Sequence, residues 1–193
     1  MIVKFFSEKL KAKKITKEIQ NKVKKILRSG KYTNSKYVNQ FENIYKKFFK
    51  IKYCVAVNNG TSALHLSLLA LGIKKNDEII LPSMTFIASA AAINYVGAKP
   101  VFVDINDSDW LINPNIIENY INKKTKAIMV VHLHGLMCDM DKIRNIAKKY
   151  KLKVIEDAAQ AHGSTFNDKM PGYYSDVATF SFYPTKNLGA IGE

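Results

Sequence analysis

Residues 51–193 predict an α/β fold, a mostly parallel sheet flanked by helices, on three observations. The apolar runs EIILP, PVFV and AIMVV carry no polar alternation, as in strands buried on both faces. Segments of helical periodicity separate these runs, and parallel neighbours need such crossovers. Gly, Pro and Asn punctuate the joins.

Taken in order, the first fifty residues read as a basic helical segment. Ile15, Ile19, Val23, Ile26 and Leu27 recur at helical spacing among lysines, and Gly30 supplies a stop. After TNSKY, Val38, Phe41, Tyr45, Phe48 and Phe49 share the face of a second, shorter helix. From residue 51 strand and helix alternate. CVAVNNG is expected to be a strand running into a glycine turn, and SALHLSLLALGI a helix closed by Gly72. EIILPS is a second strand, TFIASAAAINYVG a helix, PVFVDI a third strand and NPNIIENYI helical. KAIMVVHLHG is a fourth strand and MDKIRNIAKKY a helix, while KVIEDAA and DVATFSF supply the fifth and sixth strands. The expected organisation is a helical segment over 1–50 and one α/β domain over 51–193.

Bulk properties exclude several classes. A hydrophobic share of 47% is too high for a disordered chain. The longest apolar stretch, Phe86 to Val96, is broken by Ser89 and Asn94 and is too short to span a membrane. MIVKFFSEKL lacks the apolar core of a secretory signal, so a cytoplasmic location is expected. Cys54 and Cys138 are too few for a disulfide scaffold or zinc site. The net charge of +14 is concentrated, with residues 1–50 holding 15 of the 30 Lys and Arg but 3 of the 16 acids. With lysines set among Asn and Ile and no helix-turn-helix or zinc pattern, this reads as a solvated basic surface rather than a specific nucleic-acid binder.

In a parallel sheet, ligands bind beyond the carboxyl ends of the strands, and the chemistry-bearing residues collect there. Asn59, Gly60, Thr61 and Ser62 open a helix after a strand, so backbone N–H groups and hydroxyls could hold a phosphate; the same residues could equally form an ordinary N-cap. Asp157 ends VIED, where it could bind a metal, orient a base, hold a protonated ring nitrogen or cap the next helix. Glu156 points the other way by strand alternation. His132 and His134 lack the acidic cluster a metal would need, and His65 and His162 gain no role from spacing. Lys186, in SFYPTKNLG, sits at the strand-end cleft among Ser181, Tyr183, Thr185 and Asn187; there it can form a Schiff base and later move a proton.

Together KYTNSKYVNQFENIYKKFF, NNGTSALHLSLLALGI, PSMTFIAS, HLHGLMCDMDKIRNIAKKY, VIEDAAQAHG and FSFYPTKNLGAIGE resemble the DegT/DnrJ/EryC1/StrS sugar aminotransferases of the fold-type I pyridoxal-phosphate enzymes. The resemblance implies the large domain of the aspartate-aminotransferase-like fold. It further implies that Lys186 forms the Schiff base with pyridoxal 5'-phosphate and shuttles the proton. Asp157 would pair with the pyridine nitrogen, Gln160 would lie beside the phenolic oxygen and Phe86 would stack on the ring. Thr61, Ser62 and Ser181 match phosphate-binding positions. The implied reaction moves an amino group from glutamate to a keto-sugar on a nucleotide diphosphate, in a homodimer.

His134 departs from the Tyr common in the family's HLYG run. PTKNLG resembles members that aminate C3 of the sugar and CDMD members that aminate C4, so the resemblance implies either position. Family members are about twice this length, so the chain is expected to be an N-terminal portion with the C-terminal domain absent. With Arg28 and Arg144 its only arginines, a site for the donor's carboxylates is unaccounted for. A non-catalytic remnant and a sugar dehydratase relative are the alternatives; in the latter, His would be expected in place of Lys186.

Overall fold

The computed structural model describes residues 8–32 and 35–190, with side chains described from Thr16 onward. The side chain of Ile15, Thr33 and Asn34 of TNSKY, and the closing Ile191, Gly192 and Glu193 lie outside the described residues. The chain divides into two compact units, Met1–Ala56 and Val57–Glu193. No described helix is long and apolar enough to cross a membrane.

The first unit contains α1 (Glu8–Ser29) and α2 (Lys36–Phe49). Gly30 follows α1 with a φ of +66°, a left-handed stop that glycine adopts without steric cost. On α2, Tyr45 and Phe49 are buried with ring centroids 4.5 Å apart, while Val38, Phe41 and Phe48 stay exposed. CVAVNNG forms no strand, against expectation. A strand exists only as a hydrogen-bonded ladder, and no described strand pairs with this segment; the Ala56 N–H instead donates to Glu42 Oε1 at 2.8 Å.

The second unit holds β1 (Glu78–Pro82), β2 (Lys99–Val103), β3 (Thr125–Val131), β4 (Lys153–Asp157) and β5 (Val177–Thr179), with α3 (Gly60–Ala70), α4 (Ile87–Tyr95) and α5 (Met140–Tyr150). All four pairings are parallel, in the order β2-β1-β3-β4-β5. Among the described residues, five strands therefore replace the six expected. The expected strand in DVATFSF stops at Thr179 because its partner β4 is spent there: Asp157 pairs with Thr179, and the Ala158 N–H takes the Thr179 carbonyl at 2.8 Å. HLHG leaves the β3 ladder for a 3-10 turn over Leu133–Gly135, and NPNIIENYI makes only a 3-10 turn at Ile117–Tyr120.

Strand alternation divides the core. Ile79, Leu81, Ala127, Met129 and Ile155 face α3 and α4, whose Leu64, Leu68, Ala90, Ala92 and Ile93 pack with them. Ile80, Ile128, Val130 and Val154 face the opposite way and meet Met140, Ile143, Ile146 and Ala147 of α5. Helix α5 is amphipathic with lysines outward, and its N-cap Asp139 accepts the Lys142 N–H at 3.1 Å.

Candidate functional site

From β1 the chain crosses to β2 on one side, then returns past β1 to add β3, β4 and β5 on the other. The reversal opens a crevice at the carboxyl ends of β1 and β3, where α/β sheets place ligands. A cavity of about 540 Å³ occupies that end of the sheet. Thr61, Phe86, Asp157, Gln160, Ser181 and Lys186 all line it. Ser62 does not: its backbone N–H is taken by the N-cap side chain of Asn59 at 2.7 Å.

Each side chain arrives for a local reason. Asp157 is the last residue of β4 and shares the face of Ile155, so it enters the cavity beneath α4; Glu156 turns to the α5 face. There Glu156 Oε2 meets His132 Nε2 at 2.6 Å with both side chains fully buried. Because His132 Nδ1 accepts the Cys138 N–H at 3.2 Å, Nε2 carries the ring proton and donates it to Glu156. The second Glu156 oxygen accepts the Gly172 N–H at 2.8 Å. Among the described residues no group of three or more His, Cys, Asp and Glu could hold a metal.

Burial raises the affinity of Asp157 for a proton above that of an ordinary carboxylate; opposing this are the Ser89 hydroxyl at 2.8 Å, the Ala159 N–H at 3.2 Å and the fields of Lys186 and His132. Gln160 Oε1 accepts the His134 N–H at 2.6 Å, which fixes the amide so that Nε2 remains as a donor. His134 reaches that position with a φ of +56°, and Gly135 follows at +85°. His162 packs against the rings of Phe180 and Phe182 and donates from Nε2 to the Ser181 carbonyl at 2.8 Å. Its pKa is lowered, chiefly by burial.

The α3 end of the cavity depends on Gly60. A Cβ there would stand 2.9 Å from Ser181 Cβ and 3.4 Å from its Oγ, so only hydrogen lets the first turn of α3 approach the Ser181 hydroxyl this closely. Lys186 rides on a tight turn, its N–H bonded to the Tyr183 carbonyl and the Ala190 N–H to that of Phe182, both at 2.8 Å. Phe86, at the N-cap of α4, leaves 67% of its surface exposed beside the cavity, an available stacking face. Sequence reasoning missed Thr85 and Ser89; Ser89 registered only as a break in an apolar run. A hydroxyl amid alanines on a buried helix face was the available signal.

The chain is similar in sequence and fold to known proteins. Residues 13–193 match the model of the DegT/DnrJ/EryC1/StrS aminotransferase family. A dTDP-3-amino-3,6-dideoxy-alpha-D-galactopyranose transaminase of Aneurinibacillus thermoaerophilus is 50% identical over 166 residues, 86% of this chain and 46% of the relative. A GDP-perosamine synthase of Escherichia coli O157:H7 is 48% identical over 152 residues, 79% of this chain and 42% of the relative. The structure of NtdA from Bacillus subtilis with bound cofactor PMP superposes with a TM-score of 0.88 at 42% identity, over 92% of this chain and 40% of that one. The chain thus spans less than half the length of these relatives. With the family model covering nearly all of its residues, the chain belongs to the DegT/DnrJ/EryC1/StrS aminotransferase family.

Proposed function

We propose that this chain carries the cofactor-binding part of a pyridoxal-phosphate-dependent sugar aminotransferase. The whole enzyme moves an amino group from glutamate to C3 or C4 of a keto-sugar on a nucleotide diphosphate, as a homodimer. The observation that carries this reading is the convergence of Lys186, Asp157, Gln160, Phe86, Thr61 and Ser181 on one cavity at the strand ends. NtdA, solved with PMP and 42% identical to this chain, supports the choice of cofactor.

The residues present fit that cofactor. Gly60 leaves room for α3 to approach Ser181, and the first turn of α3, Thr61 and Ser181 form a donor set suited to a phosphate. Ser62 contributes at most its hydroxyl, since Asn59 holds its N–H. Asp157 supplies a buried acceptor for a protonated ring nitrogen, and the free Gln160 amide a donor for a phenolic oxygen. Phe86 presents a flat apolar surface to the ring. Lys186 would supply an amine to the cofactor aldehyde and a basic group able to hold or move a proton beside the bound ring. When bound, pyridoxal phosphate supplies the electron sink that makes such proton transfers accessible.

Adding pyridoxal phosphate to the chain should produce a visible absorbance band that Lys186→Ala abolishes. A chain without the band, or a band that survives the substitution, overturns the reading. Bleaching of the band by glutamate, with release of 2-oxoglutarate, tests the amino donor separately.

A further inference from the structure

We propose that Ser89, aligned by Thr85, is the positioning residue of Asp157: its hydroxyl pins one carboxylate oxygen so that the remaining lone pairs face the ring nitrogen of the bound cofactor. This rests on the proposed role of Asp157.

Ser89 is fully buried on α4, amid Ala88, Ala90, Ala91 and Ala92. A buried hydroxyl is costly unless bonded, and within a helix it commonly bonds back to a carbonyl of the preceding turn. The Ser89 hydroxyl instead donates to Asp157 Oδ2 at 2.8 Å, across 68 residues of sequence. It also lies 2.8 Å from Thr85 Oγ1. A serine hydroxyl has one proton, and Asp157 takes it, so Thr85 is the donor in the second bond. The chain therefore runs from Thr85 through Ser89 to Asp157, each bond polarising the next. With the Ala159 N–H on Oδ1, both carboxylate oxygens are held and the carboxylate plane is fixed. Lys186 and His132 are the titratable groups whose fields reach Asp157, and they act on it whether or not Ser89 is present. Without the hydroxyl, Asp157 would hold a proton more tightly and compete with the ring nitrogen for it.

The test is a carbon-13 NMR titration of the Asp157 carboxyl in the cofactor-free chain. Ser89→Ala should raise the midpoint by about one to two pH units, the equivalent of losing a hydrogen bond to a charged group. Thr85→Val should raise it by less, and Thr85→Ser should leave it in place. On adding pyridoxal phosphate, Ser89→Ala should weaken binding and move the pH dependence of the lysine-dependent band. A folded Ser89→Ala chain whose Asp157 titrates as in the wild type overturns the proposal. If that variant does not fold, an unmoved midpoint in Thr85→Val does the same. Because the titration is read without cofactor, a wild-type chain that binds none overturns the cofactor reading and leaves the Ser89 result to be judged separately.

Discussion

Asp157 and Glu156 are sequence neighbours placed on opposite faces of one strand, so one faces the cavity and the other a fully buried histidine. Burial raises the proton affinity of Asp157, so its folded pKa lies above its unfolded value. Its contribution to stability is therefore complete below the ordinary carboxylate range and is lost as pH rises through the raised value. Asp157→Asn cannot ionise and escapes that loss. Urea unfolding of the cofactor-free chains should show the variant gaining on the wild type from acid to neutral pH. A gap that does not change with pH would contradict the assignment. Asp157 and Lys186 were legible because a carboxylate and a lysine at strand ends are chemically conspicuous. Ser89 was not, because a serine in an alanine-rich helix is unremarkable until its partner is known.

At the scale of elements, continuous apolar runs and helical periodicities located β1 through β5 and α3 through α5. Periodicity could not reveal where ladders end. DVATFSF carries apolar residues as far as Phe182, yet only Val177–Thr179 finds a strand partner. The turn after it was partly legible, since Pro184 and Gly189 mark it, but the reason for Gly189 lies in three dimensions. A Cβ at Gly189 would overlap the Pro184 carbonyl oxygen. Gly189→Ala should displace Lys186 and weaken the lysine-dependent binding of pyridoxal phosphate about tenfold or more, since small misplacements at such a site are expensive. The unfolding free energy should fall by less than about 1 kcal/mol, because the segment is exposed and can open locally. Cofactor titration together with urea unfolding separates the two effects.

Across the second unit, the His132–Glu156 pair joins segments far apart in sequence. His132 follows β3 and accepts the Cys138 N–H, while Glu156 on β4 accepts the Gly172 N–H from the loop before β5. The pair thereby ties the loop carrying His134, and through it the orientation of Gln160, to the centre of the sheet. His132→Ala removes the donor from a fully buried carboxyl and should cost about 3 kcal/mol in urea unfolding. A loss well under 1 kcal/mol would mean the pair does not bind these segments together. The same surroundings push the Cys138 thiol up to about 12, burial being the main cause, so it serves as packing rather than as a nucleophile at neutral pH.

The sequence by itself determined the class of fold and the order of strands and helices in residues 60–179, and it offered seven candidate site residues, six of which line one cavity. These are local properties: a period of 2 or 3.6, a turn residue, a reactive side chain at a strand end. Tertiary structure alone decided that CVAVNNG has no ladder among the described residues, that Ser62 lies off the cavity, and that Gln160 presents its amide nitrogen. It also decided that Asp157 is held by a serine from another helix. Each of these depends on which distant segment supplies the partner for a polar group, and a hydrogen-bond donor does not record in its own neighbourhood where its acceptor will be.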